Sequence, residues 1–173
     1  MRPLFLILAT LCAVSMIAGL IGFTFEDTVE DVEVPPSGIW VGFAPEPLSE
    51  TALPGFLVNA ELTMTWEADV WIGIVTEAEQ QRCAPSGGVS DNCSPSDTEF
   101  VAGGPSTKDS KSLTWEIGDE VYYAADGQSF GGSETHVDVD YSVEVTMAGS
   151  ALFVLGLIGT GLLVAGLPEL HFW

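Results

Sequence analysis

Residues 135–167 read THVDVDYSVEVTMAGSALFVLGLIGTGLLVAGL. The first part alternates: Val137, Val139, Tyr141, Val143 and Val145 point one way, and His136, Asp138, Asp140, Ser142 and Glu144 the other. A period of two is that of a half-buried β-strand. The alternation then stops, and residues 148–167 carry no charge and are rich in Leu, Gly, Ala and Val. A helix of that length crosses a hydrocarbon layer about 30 Å thick. With no linker between strand and helix, the stretch predicts a β-domain joined directly to a transmembrane helix over 148–167.

The other end of the chain has a similar apolar run. Residues 1–25 hold one charge, Arg2, and residues 4–23 are long enough to span a bilayer. A cleaved signal peptide is the competing reading. Its apolar region would be shorter and followed by a polar stretch with a small-x-small site, whereas here the apolar run meets Glu26 abruptly. An uncleaved anchor is therefore favoured. Small residues four apart (Ser15 with Gly19, Ala18 with Gly22, Gly161 with Ala165) permit close helix packing, although membrane helices are rich in glycine in any case. Neither span, 4–23 or 148–167, contains Asp, Glu, Lys, Arg or His, so nothing points to an ion pathway.

Between the two runs lie twenty-four Asp and Glu against Arg82, Lys108 and Lys111. That balance excludes nucleic acid, whose phosphates require Lys and Arg. It also opposes a domain lying flat on anionic lipid. An acidic surface nearly free of Lys suits a halophilic setting, where salt screens self-repulsion; an acidic secreted domain of no special habitat has the same composition.

Residues 26–37 read as an acidic connector closed by Pro35-Pro36, and residues 38–147 as the β-domain. Short strands are expected at 39–43 and 99–102. Residues 56–66 alternate, with Phe56, Val58, Ala60, Leu62, Met64 and Trp66 inward. Residues 70–75 are apolar on both faces, as in a central strand. Thr76 is placed to cap a helical turn with Glu79 three residues on. Strands follow at 113–117 and 121–125, and Asp126-Gly127 signals a turn. Seven or eight strands at hairpin spacing predict an all-β, antiparallel sandwich flanked by two transmembrane helices, with residues 168–173 as a short tail.

Only Arg2 and the amino terminus bear on the positive-inside rule, and they place the N-terminus in the cytoplasm. Two spans then return the C-terminus to the cytoplasm and leave the domain outside the cell membrane. Cysteine usage agrees: Cys83 and Cys93 flank a loop rich in Pro, Gly and Ser, and a bridge between them persists only in an oxidising compartment. Two free thiols are the other reading.

Motifs of chemistry are scarce. There is no nucleophile elbow, HExxH, phosphate loop or CxxC pair, and the domain has one histidine. The expectation is no enzyme, no catalytic residue and no cofactor. His136, Asp138 and Asp140 share one strand face and form the single metal-like constellation, with oxygen donors suited to Ca²⁺. The competing reading is the solvated face of an acidic strand. Trp40, Trp66, Trp71 and Trp115 either line a ligand groove or belong to the core; Trp71, opposite Val70 and Ile72, is the better surface candidate.

Residues 69–79 (DVWIGIVTEAE), then Val121-Tyr122-Tyr123, then the alternating strand 137–145, resemble the GOLD-type β-sandwich. In that family a strand ending in a Thr/Asn-Glu turn precedes a short helix, and a Tyr-Tyr strand precedes the last strand. The resemblance covers about half of the domain and implies a jelly-roll-like sandwich used for protein contacts. The coiled coil and basic sorting tail of the eukaryotic cargo receptors are absent from this sequence.

The functional expectation is a membrane-anchored, non-catalytic, extracytoplasmic module that contacts the lipid bilayer and another membrane or surface protein. A ligand- or Ca²⁺-sensing domain is the first alternative. A small subunit of a larger membrane complex is the second.

Overall fold

The computed structural model describes residues 2–48, 55–86, 88–90, 92–129 and 131–167. The expected tail at 168–173 lies outside them. The elements are α1 (Arg2–Ile21), β1 (Phe23–Glu33), β2 (Val41–Phe43), β3 (Val58–Trp66), β4 (Val70–Thr76), α2 (Glu77–Cys83), β5 (Gly88–Ser90), β6 (Ala102–Gly103), β7 (Ser112–Ile117), β8 (Tyr122–Gln128), β9 (His136–Met147) and α3 (Gly149–Gly166). The strands form two mostly antiparallel sheets, of order β1-β9-β3-β7 and β5-β2-β8-β4-β6.

The chain divides into two compact units. The larger comprises Phe25–Leu53 and Glu61–Val143. Its main core lies between the sheets, in a β-sandwich-like arrangement. Leu62, Met64 and Trp66 of β3, Leu113 of β7, and Val137 and Val139 of β9 meet Val70, Ile72 and Ile74 of β4 and Tyr122 of β8. The alternation of β3 is realised, since Leu62, Met64 and Trp66 are buried while Glu61 and Thr65 are exposed. Each such side chain contributes roughly 1.5–3 kcal/mol by leaving water. A slip of one residue would reverse the whole row, so the pattern sets the register. β4 is buried at every position from Val70 to Val75 because a second cluster covers its other face.

That second cluster corrects the reading of Trp71. The ring is 2% exposed and packs with Val41, Phe43, Val75, Ala125, Cys83 and Cys93. Its Nε1 donates to the Gln128 carbonyl at 3.2 Å, and Phe100 meets it edge-on at 5.4 Å. Thr76 caps α2 as expected, its Oγ1 accepting from the Glu79 N–H at 3.3 Å.

Asp126-Gly127 is not a turn. β8 runs through both residues, with Asp126 paired to Ile72 on one side and to Gly42 on the other. Gly127 serves close approach instead: a Cβ there would lie 2.3 Å from Trp71 Cζ2. Turn chemistry is a local preference, and a strand paired on both sides overrides it.

The expected connector at 26–37 is largely strand. Its first part belongs to β1, an edge strand exposed at nearly every position. Carboxylates along an edge oppose pairing with a second sheet. Asp31 breaks the regularity with φ 60°. Val34 and Pro35, beyond the strand, are buried. Ile39 and Trp40 precede β2 and are exposed, so the short strand there begins later than the sequence suggests.

The smaller unit comprises Met1–Thr24, Pro54–Ala60 and Glu144–Trp173. It holds α1 and α3, both long and apolar enough to span a membrane. They pack antiparallel: Gly166 lies against Leu6, Gly159 against Cys12 and Gly156 against Met16. The small residues that matter are therefore Gly156, Gly159 and Gly166. Gly161 has open space around it, and Ala165 and Ser15 are exposed. Gly19 meets Met147 rather than α3, while Gly22 lies beyond the end of α1 at φ +76°, beside Val145 and Thr146. Ala18 accepts the Gly22 N–H at its carbonyl, at 3.1 Å. Spacing four apart identifies candidate ridges, but the partner's angle of approach decides which glycines face it.

Candidate functional site

Three places in the larger unit gather polar or charged side chains that a site could use. The first is the solvent face of β1 and β9. His136, Asp138 and Asp140 are all exposed on β9, on one face as expected. They do not converge. Asp140 Oδ1 accepts from Thr28 Oγ1 at 2.6 Å, and Asp138 Oδ1 accepts from the Asp31 N–H at 2.8 Å. His136 Nε2 stands 3.9 Å from the Asp31 carboxylate, and its Nδ1 is 3.0 Å from Thr135 Oγ1. These contacts fasten β1 along β9. Among the described residues no group of three or more His, Cys, Asp and Glu is arranged to hold a metal ion. Beside Asp140 lies an open depression of about 410 Å³. Glu26, Asp27 and Asp140 supply its carboxylates, and Thr28, Thr63, Thr65 and Ser142 its hydroxyls. Such a lining offers oxygen ligands and attracts cations.

The second place is α2 with its loop. Cys83 and Cys93 are disulfide-bonded. Arg82 donates through Nε and Nη2 to the two carboxylate oxygens of Glu79, at 2.8 and 2.5 Å, and Nη2 also donates to the Asp97 carbonyl at 2.8 Å. Glu79 Oε1 further accepts the Glu99 N–H at 2.8 Å. Hydrogen bonding to Arg82 holds the Glu79 carboxyl below its ordinary range, although burial opposes that shift. The arrangement pins the loop over Trp71.

The third place was not visible in the sequence. Asp126 is buried, and its Oδ1 has no hydrogen-bond partner among the described residues. Burial pushes its carboxyl up to about 7, with the charge of Glu33 adding to the effect. Gln128, two residues on and on the same face of β8, donates through Nε2 to the Glu134 carbonyl, and its Oε1 has no partner among the described residues. The sequence signal, a polar-x-polar step in an otherwise apolar strand, was masked by the Asp-Gly turn motif.

Exposed apolar side chains on this unit include Ile39, Trp40, Val89 and Val101. Trp66 and Trp115 belong to the main core, where Trp115 meets Tyr122 edge-on at 4.5 Å. The segments that carry the GOLD resemblance are β4 with α2, the start of β8, and β9. No family model matches the chain, and neither does any curated protein or solved structure.

Proposed function

We propose that the chain is a two-pass membrane protein whose extracytoplasmic, jelly-roll-like β-sandwich is a non-catalytic module for protein contact or assembly, in the manner of a GOLD-type domain. The observation that carries this reading is the helix pair. α1 and α3 pack closely at Cys12 and Gly159, while Leu11, Val14, Ile17, Phe153, Leu157 and Val164 remain exposed. Contiguous apolar surface of that extent has lipid as its natural solvent. Arg2 puts the amino terminus in the cytoplasm, and the disulfide suits an oxidising outer compartment. The acidic excess keeps the module soluble in a salty medium. The partner is another membrane or surface protein that meets Trp40 and Ile39, apolar side chains exposed on an acidic surface.

A photo-crosslinking side chain placed at Trp40 tests this in intact cells. One discrete adduct is expected from position 40 and none from the exposed Thr114 on β7. Equal, diffuse labelling from both positions rejects the contact role.

The second reading is a Ca²⁺-sensing domain, for which the acidic depression supplies carboxylate and hydroxyl oxygens but no cluster already arranged for a metal ion among the described residues. Titrating Ca²⁺ against thermal unfolding separates the two. Sensing requires a rise in Tm of several degrees that Asp140→Ala abolishes and Mg²⁺ does not reproduce. A contact module has a Tm indifferent to Ca²⁺.

A further inference from the structure

The sequence pattern places Phe56 on the inward row of β3, but β3 begins at Val58. Phe56 is 67% exposed and Leu57 44%. They belong to an uncharged run, residues 52–58 (ALPGFLV). Their backbone is not free. The Leu57 carbonyl accepts the Ala148 N–H at 2.9 Å, and the Phe56 carbonyl accepts from Ser150 Oγ at 2.6 Å. Ala148 is the N-cap of α3 and Ser150 lies in its first turn. Two hydrogen bonds thus hold the backbone of Phe56 and Leu57 at the start of the helix while both residues stay exposed.

Other features of the smaller unit lie at the same level. Phe23, 62% exposed, directly follows Gly22, and Gly22 sits against Val145 and Thr146 at the end of β9. Aromatic residues concentrate where a span meets water, because the rim of a bilayer accepts an apolar ring beside polar backbone.

We propose that Phe56 and Leu57 form a third membrane contact, a loop seated in the interfacial layer of the bilayer that α1 and α3 cross. This rests on the two-pass reading. The occupant is lipid rather than protein because Phe56 and Leu57 are tied to the first turn of α3, an apolar helix long enough to span a membrane, on which Phe153 is also exposed. The loop grips the bilayer beside the helix pair and limits how far α3 can tilt or slide along the membrane normal.

The test uses the full chain with Cys12→Ser, the disulfide kept oxidised, and one thiol introduced at a time for an environment-sensitive fluorophore. Phe56→Cys and Leu57→Cys are the reporters, Leu157→Cys marks the span and Lys108→Cys marks water. The protein is reconstituted into phosphatidylcholine vesicles with a minor share of phosphatidylglycerol. These carry nitroxide-labelled lipids with the quencher either shallow or deep on the acyl chain. The expected result is that the labels at 56 and 57 are quenched at least twofold more by the shallow nitroxide than by the deep one. The label at 157 should show the reverse order, and the label at 108 should be quenched by neither. If 157 is quenched while 56 and 57 behave like 108, the loop contact is wrong and the two-pass reading stands. If 157 is not quenched, the two-pass reading fails and the loop contact fails with it.

Discussion

Asp126→Asn should leave a protein more stable than the parent at pH 8, with an advantage that shrinks steadily toward pH 4. Asp126 occupies the middle of a five-stranded sheet, between Gly42 and Ile72. It is buried, and Oδ1 lacks a partner among the described residues. Its folded pKa of about 7 lies above the unfolded value of about 3.9. The folded state therefore holds a proton that the unfolded chain has released. The stabilisation is fully present below about pH 4 and is lost as pH rises through about 7. About three pKa units correspond to roughly 4 kcal/mol by pH 8, of which some 2–3 kcal/mol accrues between pH 5 and pH 8. Asparagine keeps the shape and carries no charge at any pH. Glu33, the neighbouring charge, is unchanged in the variant, as are the other carboxylates, so the difference between the two proteins isolates one group. Urea unfolding of both at pH 5 and pH 8, at constant high salt, measures it. Parallel pH curves would show that Asp126 is ionised or hydrated in the folded protein.

Removing the disulfide should cost about 3 kcal/mol. Cys83 and Cys93 are ten residues apart, and the chain-entropy model assigns about that value to so short a loop. The bridge also has a packing role. Cys83 is fully buried and Cys93 nearly so, both against Trp71, Val41, Phe43 and Ala125. Ser90 Oγ donates to the Cys83 carbonyl at 2.5 Å and accepts the Asn92 and Cys93 N–H groups, so the loop is ordered around the bridge. Cys83→Ser with Cys93→Ser should therefore shift tryptophan emission to the red, a shift absent when the same pair is made in Trp71→Phe, in addition to lowering the denaturation midpoint. The ion pair of Arg82 with Glu79 is the competing fastening. A loss below about 1 kcal/mol with unchanged emission would mean that this pair holds the loop by itself. In cells, a reduced Cys83–Cys93 pair would count against an extracytoplasmic domain.

Some features were determined by the sequence alone because their causes are local. Twenty uncharged residues in a row predict an apolar helix whatever surrounds them, and α3 follows β9 after a single residue. Period two predicted the inward row from Ala60 to Trp66 of β3 and Val137 and Val139 of β9, although Phe56, expected on the β3 row, is exposed before the strand begins. A Thr three residues before Glu79 predicted the cap of α2. The Cys83–Cys93 pair was legible because the only other cysteine, Cys12, lies in the first apolar run.

Tertiary structure decided the rest through partners distant in sequence. Trp71 is core because α2 and the disulfide loop fold over the second face of β4. Asp126-Gly127 is strand because β2 and β4 pair with β8 on both sides and the Trp71 ring requires a residue without Cβ. The acidic stretch after Phe23 is strand because β9 offers it an edge, with Asp138 and Asp140 anchored by Asp31 and Thr28, 107 and 112 residues away. The face carrying His136, Asp138 and Asp140 could be read from alternation, but the use of its carboxylates could not. Periodicity and turn propensity report how a residue faces its own segment; which atoms finally satisfy a carboxylate, or cover a ring, depends on pairings that no local pattern encodes.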